Sequence, residues 1–440
     1  METSSEFTDL LPVILGSLFA LGCLIGSFIF LRRKRLIDDL PTSKTQGVFI
    51  GLSELKGTAE SDTPLVSYLS NTSCVRYEWQ VQEHWSRTVT EIYTDAKGNT
   101  HTRTRVESGW TTVAGDKQAI PFYLKDDTGV IRILPDRATI HDNEVFDETC
   151  GRDSPLYYGK GPALSVPDST HRRRFRETAI PLHTMLYVVG QARERQDVVA
   201  AEIAYAEAAP MFLISTKTEK QVTRRYSTGY WSLLVVSLVL IMAGIGIASA
   251  LGLPGISGMT YVIGIAAFLV ATGIGWLWTV YNSLVGLRQR VLRAWSQVEI
   301  QLKRRNDLIP NLMHVIEGYR QHERELQQDL TEMRGQLVAT PPGEAGEDFN
   351  GLSSKLLVAV ERYPELKASE MFLNLQRSLT ETEERIALAR DYFNDIATFY
   401  NTRLTIIPDR FIAALLGCRP RQLMSVSDFE RAPVKVSLIS

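Results

Sequence analysis

Residues 259–305 read MTYVIGIAAFLVATGIGWLWTVYNSLVGLRQRVLRAWSQVEIQLKRR, and the fold follows from how the two halves of this stretch join. Residues 259–280 contain no charge and supply the ~20 apolar residues that a hydrocarbon core of about 30 Å requires. The second half changes pattern without stopping. Val291, Trp295, Val298 and Leu302 fall on an alternating three-and-four stripe, which continues through Ile309, Leu312, Ile316, Tyr319, Leu326, Leu330, Met333 and Leu337. No proline or polar loop separates Val280 from Val291, so the reading is one helix that leaves a bilayer and becomes a stiff arm. Pro310 is expected to kink that arm rather than end it.

Upstream, residues 231–251 form a second apolar span, joined to the first by a turn with Gly252, Pro254, Gly255 and Gly258. No Asp, Glu, Lys or Arg occurs between Tyr226 and Leu287, whereas Lys217, Lys220, Arg224 and Arg225 precede this hairpin and Arg288, Arg290 and Arg293 follow it. A third span covers 10–31, preceded by Glu2, Glu6 and Asp9 and followed by Arg32, Arg33, Lys34 and Arg35. Cationic flanks stay in the cytoplasm. The expected topology is therefore a reverse signal anchor with the N-terminus outside, then a hairpin with both ends inside. The C-terminus is expected in the cytoplasm.

Arg32, Arg33, Lys34 and Arg35 are candidate contacts with the membrane surface. Gly244 with Ala248, and Ala271 with Gly275, repeat small residues four apart and are candidates for close helix packing, within the hairpin or between copies. The plain alternative is that Gly and Ala are common in membrane helices.

The 440 residues carry a formal net charge of −2, which gives no reason to expect nucleic acid as a partner. Cys23, Cys74, Cys150 and Cys418 lie far apart with no CxxC or Cys/His spacing, so neither a zinc site nor a disulfide framework is expected. No cofactor, metal or catalytic residue is expected. Cys74 reads as a packed structural thiol.

Between 46 and 225 the pattern is short alternating runs separated by turns, a mainly β region. Thr88–Tyr93 pairs with Thr100–Val106 across Asp95–Asn99, and Phe122–Lys125 pairs with Val130–Leu134 around Asp126-Asp127-Thr128-Gly129, where Gly and Asn or Asp are expected to supply positive φ. An Ala-rich helix is expected near Asp197–Ala208. The run Arg172-Arg173-Arg174-Phe175-Arg176 reads as a solvated loop, with contact to lipid phosphates or an acidic partner as the alternative.

Beyond the stripe, 339–350 reads as a loop at the tip of the arm and 352–362 as a short helix. A return helix then carries Phe372, Leu375, Leu379, Ile386, Ala389, Phe393, Ile396 and Tyr400. Polar residues interrupt or flank this seam: Arg305 and Glu323 on the outgoing helix, Glu383, Arg390, Asn394 and Asn401 on the return. Buried unpaired charge costs several kcal/mol, so these residues are expected to pair across the bundle, Arg305 with Glu383 first among them. The alternative is a polar site for a ligand or a neighbouring subunit.

Two resemblances attach to these residues. Gly57-Thr58-Ala59-Glu60, Pro64-Leu65-Val66-Ser67, Cys74-Val75-Arg76-Tyr77-Glu78 and Phe212–Lys217 resemble the ends of the GIDE domain. The zinc-binding RING finger that follows this domain in eukaryotic members has no ligand set here, so the resemblance implies a binding or scaffolding module. Tyr281–Val285, Ala294-Trp295, Gln301–Leu312, Gly318-Tyr319 and His322-Glu323 resemble the first helix of the LemA family, and Glu383, Arg385-Ile386, Ala389-Arg390, Phe393-Asn394, Tyr400-Asn401 and Pro408 its last. Phe393 departs from the usual Tyr. That resemblance implies a membrane-anchored helical bundle in a bacterium, hence an expected location in the inner, cytoplasmic membrane, with no established catalytic residue or cofactor.

The expected fold is an α+β multi-domain membrane protein. Its parts are an extracytoplasmic segment (1–9), a first span (10–31), a basic linker (32–45), a GIDE-like mainly β domain (46–225), two further spans (231–251, 259–280), a LemA-like antiparallel helical bundle (281–417) and a tail (418–440). The expected function is a non-enzymatic scaffold in contact with the lipid bilayer, assembling as a homo-oligomer and binding a protein partner of unknown identity. The runner-up is an enzyme or enzyme subunit acting on membrane lipid or protein, for which His314, His322 and Glu323 would be the acid–base candidates.

Overall fold

The structure, a computed structural model, describes residues 2–94, 100–195, 200–207, 209–252, 257–318 and 370–424. The chain divides into two compact units, Thr42–Gln221 and a second made of Met1–Pro41 with Val222–Ser440.

The first unit contains a closed ring of strands. Strands β1 (Thr42–Ser43), β2 (Gly51–Glu60), β6 (Phe122–Lys125), β7 (Val130–Ile133), β11 (Met185–Glu194) and β12 (Ala201–Ala204) pair in the order β1-β2-β6-β7-β12-β11, and β11 returns to pair with β2. β13 (Leu213–Ser215) and β8 (Thr139–His141) extend the sheet from β11. Inward residues Leu55, Phe122, Leu124, Ile131, Ile133, Leu186, Val188, Ile203 and Ile214 fill its core. Gly190 is required there, since a Cβ would sit 2.8 Å from the Phe212 ring. The Ala-rich stretch takes a different form from the expected helix: Ala201–Ala204 is strand β12, paired with both β11 and β7. Alanine favours helix more than any other residue, but such propensities are small and the pairing that closes the ring overrides them.

A second sheet orders β3 (Leu65–Val66), β4 (Ser73–Thr94), β10 (Ser169–Pro181) and β9 (Asn143–Gly151), with β5 (Thr100–Ala119) on the other flank of β4 and a short helix, α2 (Pro155–Gly159), between β9 and β10. Beyond Trp85, β4 pairs only with β5, leaving a two-stranded ribbon. Strand alternation gives the ribbon two unlike faces. One carries Arg87, Glu91, Arg103, Arg105 and Glu107, while the other pairs Thr88 with Val106, Thr90 with Thr104 and Ile92 with Thr102. Ile92 and Val106 on that uncharged face are exposed.

The β6–β7 turn forms where expected, but not through positive φ at Gly129. Instead the Asp126 carboxylate accepts from the Thr128 and Gly129 amides at 2.8 and 3.0 Å and from the Thr45 amide at 2.8 Å. Asp side chains commonly replace backbone turn bonds in this way. The β4–β5 turn, 95–99, lies outside the described residues.

The second unit is helical. α1 (Glu2–Asp38), α3 (Glu219–Ala250) and α4 (Gly258–Gly318) each contain a segment long and apolar enough to cross a membrane. They pack through small residues: Phe28 lies against Gly275, Phe30 against Gly229, and Leu233 against Gly26, while Ser237 Oγ donates to the Ala20 carbonyl at 2.8 Å. Gly244 and Ala248 are buried, whereas Ala271 is exposed.

α4 runs without interruption from the apolar segment into the arm and stays helical through Pro310. α5 (Glu370–Thr405) returns antiparallel to it, with Trp295 edge-on to Phe393 and Arg305 level with Glu383. The stripe residues Val291, Val298, Leu379, Ile386, Ala389, Phe393, Ile396 and Tyr400 are buried between them. The tip loop at 339–350, the helix at 352–362, His322 and Glu323 lie outside the described residues. α6 (Asp409–Leu415) closes the base by packing Ile412 and Ala413 on Val280 and Leu284.

Candidate interaction site of the helical unit

Two polar constellations mark the helical unit. At the base of the arm, Asp39 at the end of α1 accepts from Arg403 Nε at 2.8 Å and from Ser283 Oγ at 2.7 Å, and its carbonyl accepts from Arg290 at 3.2 Å. Asp409 on α6 accepts two bonds from Arg35, at 2.9 and 3.2 Å, with Arg403 Nη1 at 3.6 Å. Side-chain exposure is only 4% for Asp39 and 2% for Asp409. Buried ion pairs of this kind fix geometry more than they add stability, because desolvation offsets much of the attraction. Here they join α1, α4, α5 and α6 into one base.

The second constellation lies on α5. Asn394 accepts from the Met424 amide at 2.8 Å and donates to the Met424 carbonyl at 3.1 Å. Asn401 does the same with Arg421, at 2.8 and 2.7 Å. Two helical turns separate the asparagines, about 10.5 Å of rise. Three residue steps of extended chain, from Arg421 to Met424, cover about 10 Å. The spacing lets one helix face grip an extended strand of chain by its backbone. Gly417, at φ +61°, ends α6 with the Gly417 and Cys418 amides donating to Ala414 and Ala413, and so turns the chain back along α5. Cys418 meets Tyr400, whose hydroxyl is pushed up to about 12 by burial first and then by that contact.

The sequence-derived residues distribute unevenly over this arrangement. Arg305, nearly inaccessible, reaches both Glu383 oxygens at 3.4 Å, with the Glu383 side chain 36% exposed. Arg390 is half-buried. Asn394 and Asn401, expected to pair across the bundle, bind the 419–424 segment instead, because their stripe lies beside the seam rather than on it. Arg32 and Arg33 are exposed and Lys34 pairs with Asp38, but Arg35 is drawn into the base network. Sequence reading missed Asp39, Ser283, Arg403 and Asp409. Only the reversal of the chain toward α1, not any local pattern, brings them together.

In the β unit, the Arg172–Arg176 run forms part of strand β10 rather than a loop. Arg173 is fully buried and places Nε and Nη2 on Glu83 at 3.1 and 2.9 Å, its remaining bonds going to the Tyr157, Pro162 and Leu164 carbonyls. Arg174 and Arg176 pair with Asp147 and Glu144. Burial pushes the Glu83 carboxyl up, but bonds from Ser169 and Arg173 outweigh it and hold it low. Burial leaves the Cys74 thiol at about 11, as an inert packed cysteine requires. Burial also raises the Glu54 carboxyl against bonds from Tyr187 and Thr42, yet Glu54 is 1% exposed and meets no solvent. Among the described residues no group of three or more His, Cys, Asp or Glu is placed to hold a metal ion.

The LemA family model matches residues 294–438, and a model described as an E3 ubiquitin ligase, GIDE, matches 90–248. The chain joins a GIDE-like region to a LemA-like region. The LemA match extends past α6 and so includes the segment held by Asn394 and Asn401. Protein LemA of Metamycoplasma hominis is 26% identical over 179 residues, 39% of this chain and 81% of the relative. Magnetosome protein MamQ 2 of Paramagnetospirillum magneticum is 24% identical over 167 residues, and MamQ of Magnetospirillum gryphiswaldense 23%. The chain spans 61% of the length of each MamQ protein and 31% of its own length is covered.

Proposed function

We propose that this chain is a non-enzymatic scaffold of the bacterial inner membrane that presents its GIDE-like and LemA-like regions to the cytoplasm and associates with copies of itself. The single observation that carries the reading is the continuity of α4: one helix is both an apolar span and the spine of the arm. The Asp39 and Asp409 network supports it by tying that spine to α1, so the arm's base cannot swivel freely on its anchor. Cationic flanks favour an external N-terminus and internal arms. Neither LemA nor MamQ is named for a catalysed reaction, and the buried carboxylates are consumed by structural bonds.

Purified full-length chain in detergent and in nanodiscs should give a mass of two or more copies at micromolar concentration by light scattering. A strict monomer in both overturns self-association. A cysteine placed before residue 9 should react with an impermeant maleimide from outside intact spheroplasts; labelling only after lysis overturns the orientation.

A further inference from the structure

We propose that Asn394 and Asn401 form a main-chain clamp for an extended peptide, and that its occupant is exchangeable: the Arg419–Met424 segment of a second copy takes the place that the chain's own segment holds here. This deepens the scaffold reading and rests on its self-association.

Three observations carry it. Each carboxamide both donates to and accepts from one residue, a pattern that reads the backbone N–H and C=O and is indifferent to the side chain. Correspondingly, Arg419 to Leu423 are exposed, and the segment has neither helix nor strand of its own. The chain turns back through Gly417 at φ +61° and is held on α6 as far as Cys418, whose amide donates to Ala413; rotation in the irregular residues that follow swings the segment without breaking that bond or the packing of Cys418 on α6. A second copy offers a chemically identical strand, so exchange replaces every lost bond with the same bond, the condition under which identical elements swap between protomers.

The test uses two differently tagged full-length copies reconstituted together in nanodiscs, one carrying a photoreactive benzophenone side chain at position 422. Crosslinks between the tags are expected, and Asn394→Ala with Asn401→Ala in the receiving copy should reduce them by about fivefold or more. The same pair of substitutions in the donating copy should leave them at least as strong. A synthetic peptide of residues 418–426 in excess should compete the crosslink away, whereas the same peptide N-methylated at the Arg421 and Met424 amides should not. That contrast is one that misfolding of a variant cannot produce. Crosslinks confined to single copies while the two tags co-purify would overturn exchange and leave self-association standing. Tags that do not co-purify would overturn the scaffold's self-association itself. Equal competition by both peptides would overturn main-chain reading.

Discussion

Two buried ionic clusters among the described residues solve different problems. Arg173 and Glu83 lie on strands paired directly to each other, are completely enclosed, and every guanidinium nitrogen has an acceptor. Tyr157 adds its ring at 4.0 Å from the guanidinium carbon, and Arg173 ties the Pro162 and Leu164 carbonyls down. Asp39, Asp409, Arg35 and Arg403 instead join residues more than 350 positions apart, with Arg403 left 20% exposed. One cluster pins a loop to a sheet that already exists. The other creates an arrangement that nothing local would specify. A satisfied, dry pair should therefore cost more to break, and a long-range pair should cost less stability but more geometry.

The largest effect should come from Arg173→Leu, which strands Glu83 in the sheet at a cost of about 3 to 5 kcal/mol. Hydrogen exchange at the β4 and β10 amides should speed up accordingly, and adding Glu83→Leu should restore much of the loss. Additive losses would break the comparison. Asp39→Ala should cost about 2 to 3 kcal/mol, less because its partners reach solvent. Its signature should be a freed arm, read as a broadened distance distribution between spin labels at positions 33 and 299; an unchanged distribution removes the network's positioning role.

Asp126→Asn tests a third setting, a turn rather than a cluster. The carboxyl is held at about 2 because the Thr45 and Thr128 bonds outweigh the burial that raises it, against an ordinary value of 3.8. A depressed folded value means the stabilisation is complete above about pH 4 and disappears as the pH falls through 2. The substitution should cost about 1 to 2 kcal/mol at neutral pH after discounting for the exposed part of the group, and this cost should fade once the pH is well below the folded value. A penalty independent of pH would assign the turn to other contacts. The smallest effect is expected from Glu383→Gln. At 3.4 Å and with Glu383 36% exposed, this pair should contribute no more than about 1 kcal/mol to the arm's stability, read as a small shift of its unfolding midpoint.

These contrasts also show what a sequence reveals. The α4 and α5 stripes were readable because helical periodicity is local, and Arg305 beside Glu383 followed from laying two stripes antiparallel. The basic run on β10 was not, because arginines read as solvent-seeking unless the buried glutamate across the ladder is known, and that partner lies 90 residues away. Asn394 and Asn401, which the pattern alone would pair across the bundle, bond the backbone of Met424 and Arg421. Their stripe was visible, while the backbone that occupies it carries no side-chain pattern to detect. Asp39 was hidden most completely, since only the folded chain brings the end of the first helix beside the last.

The unbroken course of α4 has a mechanical consequence. From Val280 to Gly318 the helix rises about 57 Å. A change in tilt of about 10°, within the range by which spanning helices adjust to bilayer thickness, would sweep its far end through about 10 Å. In the membrane scaffold proposed above, such a lever would turn a thinner or thicker lipid environment into a sideways displacement of the arm's far end.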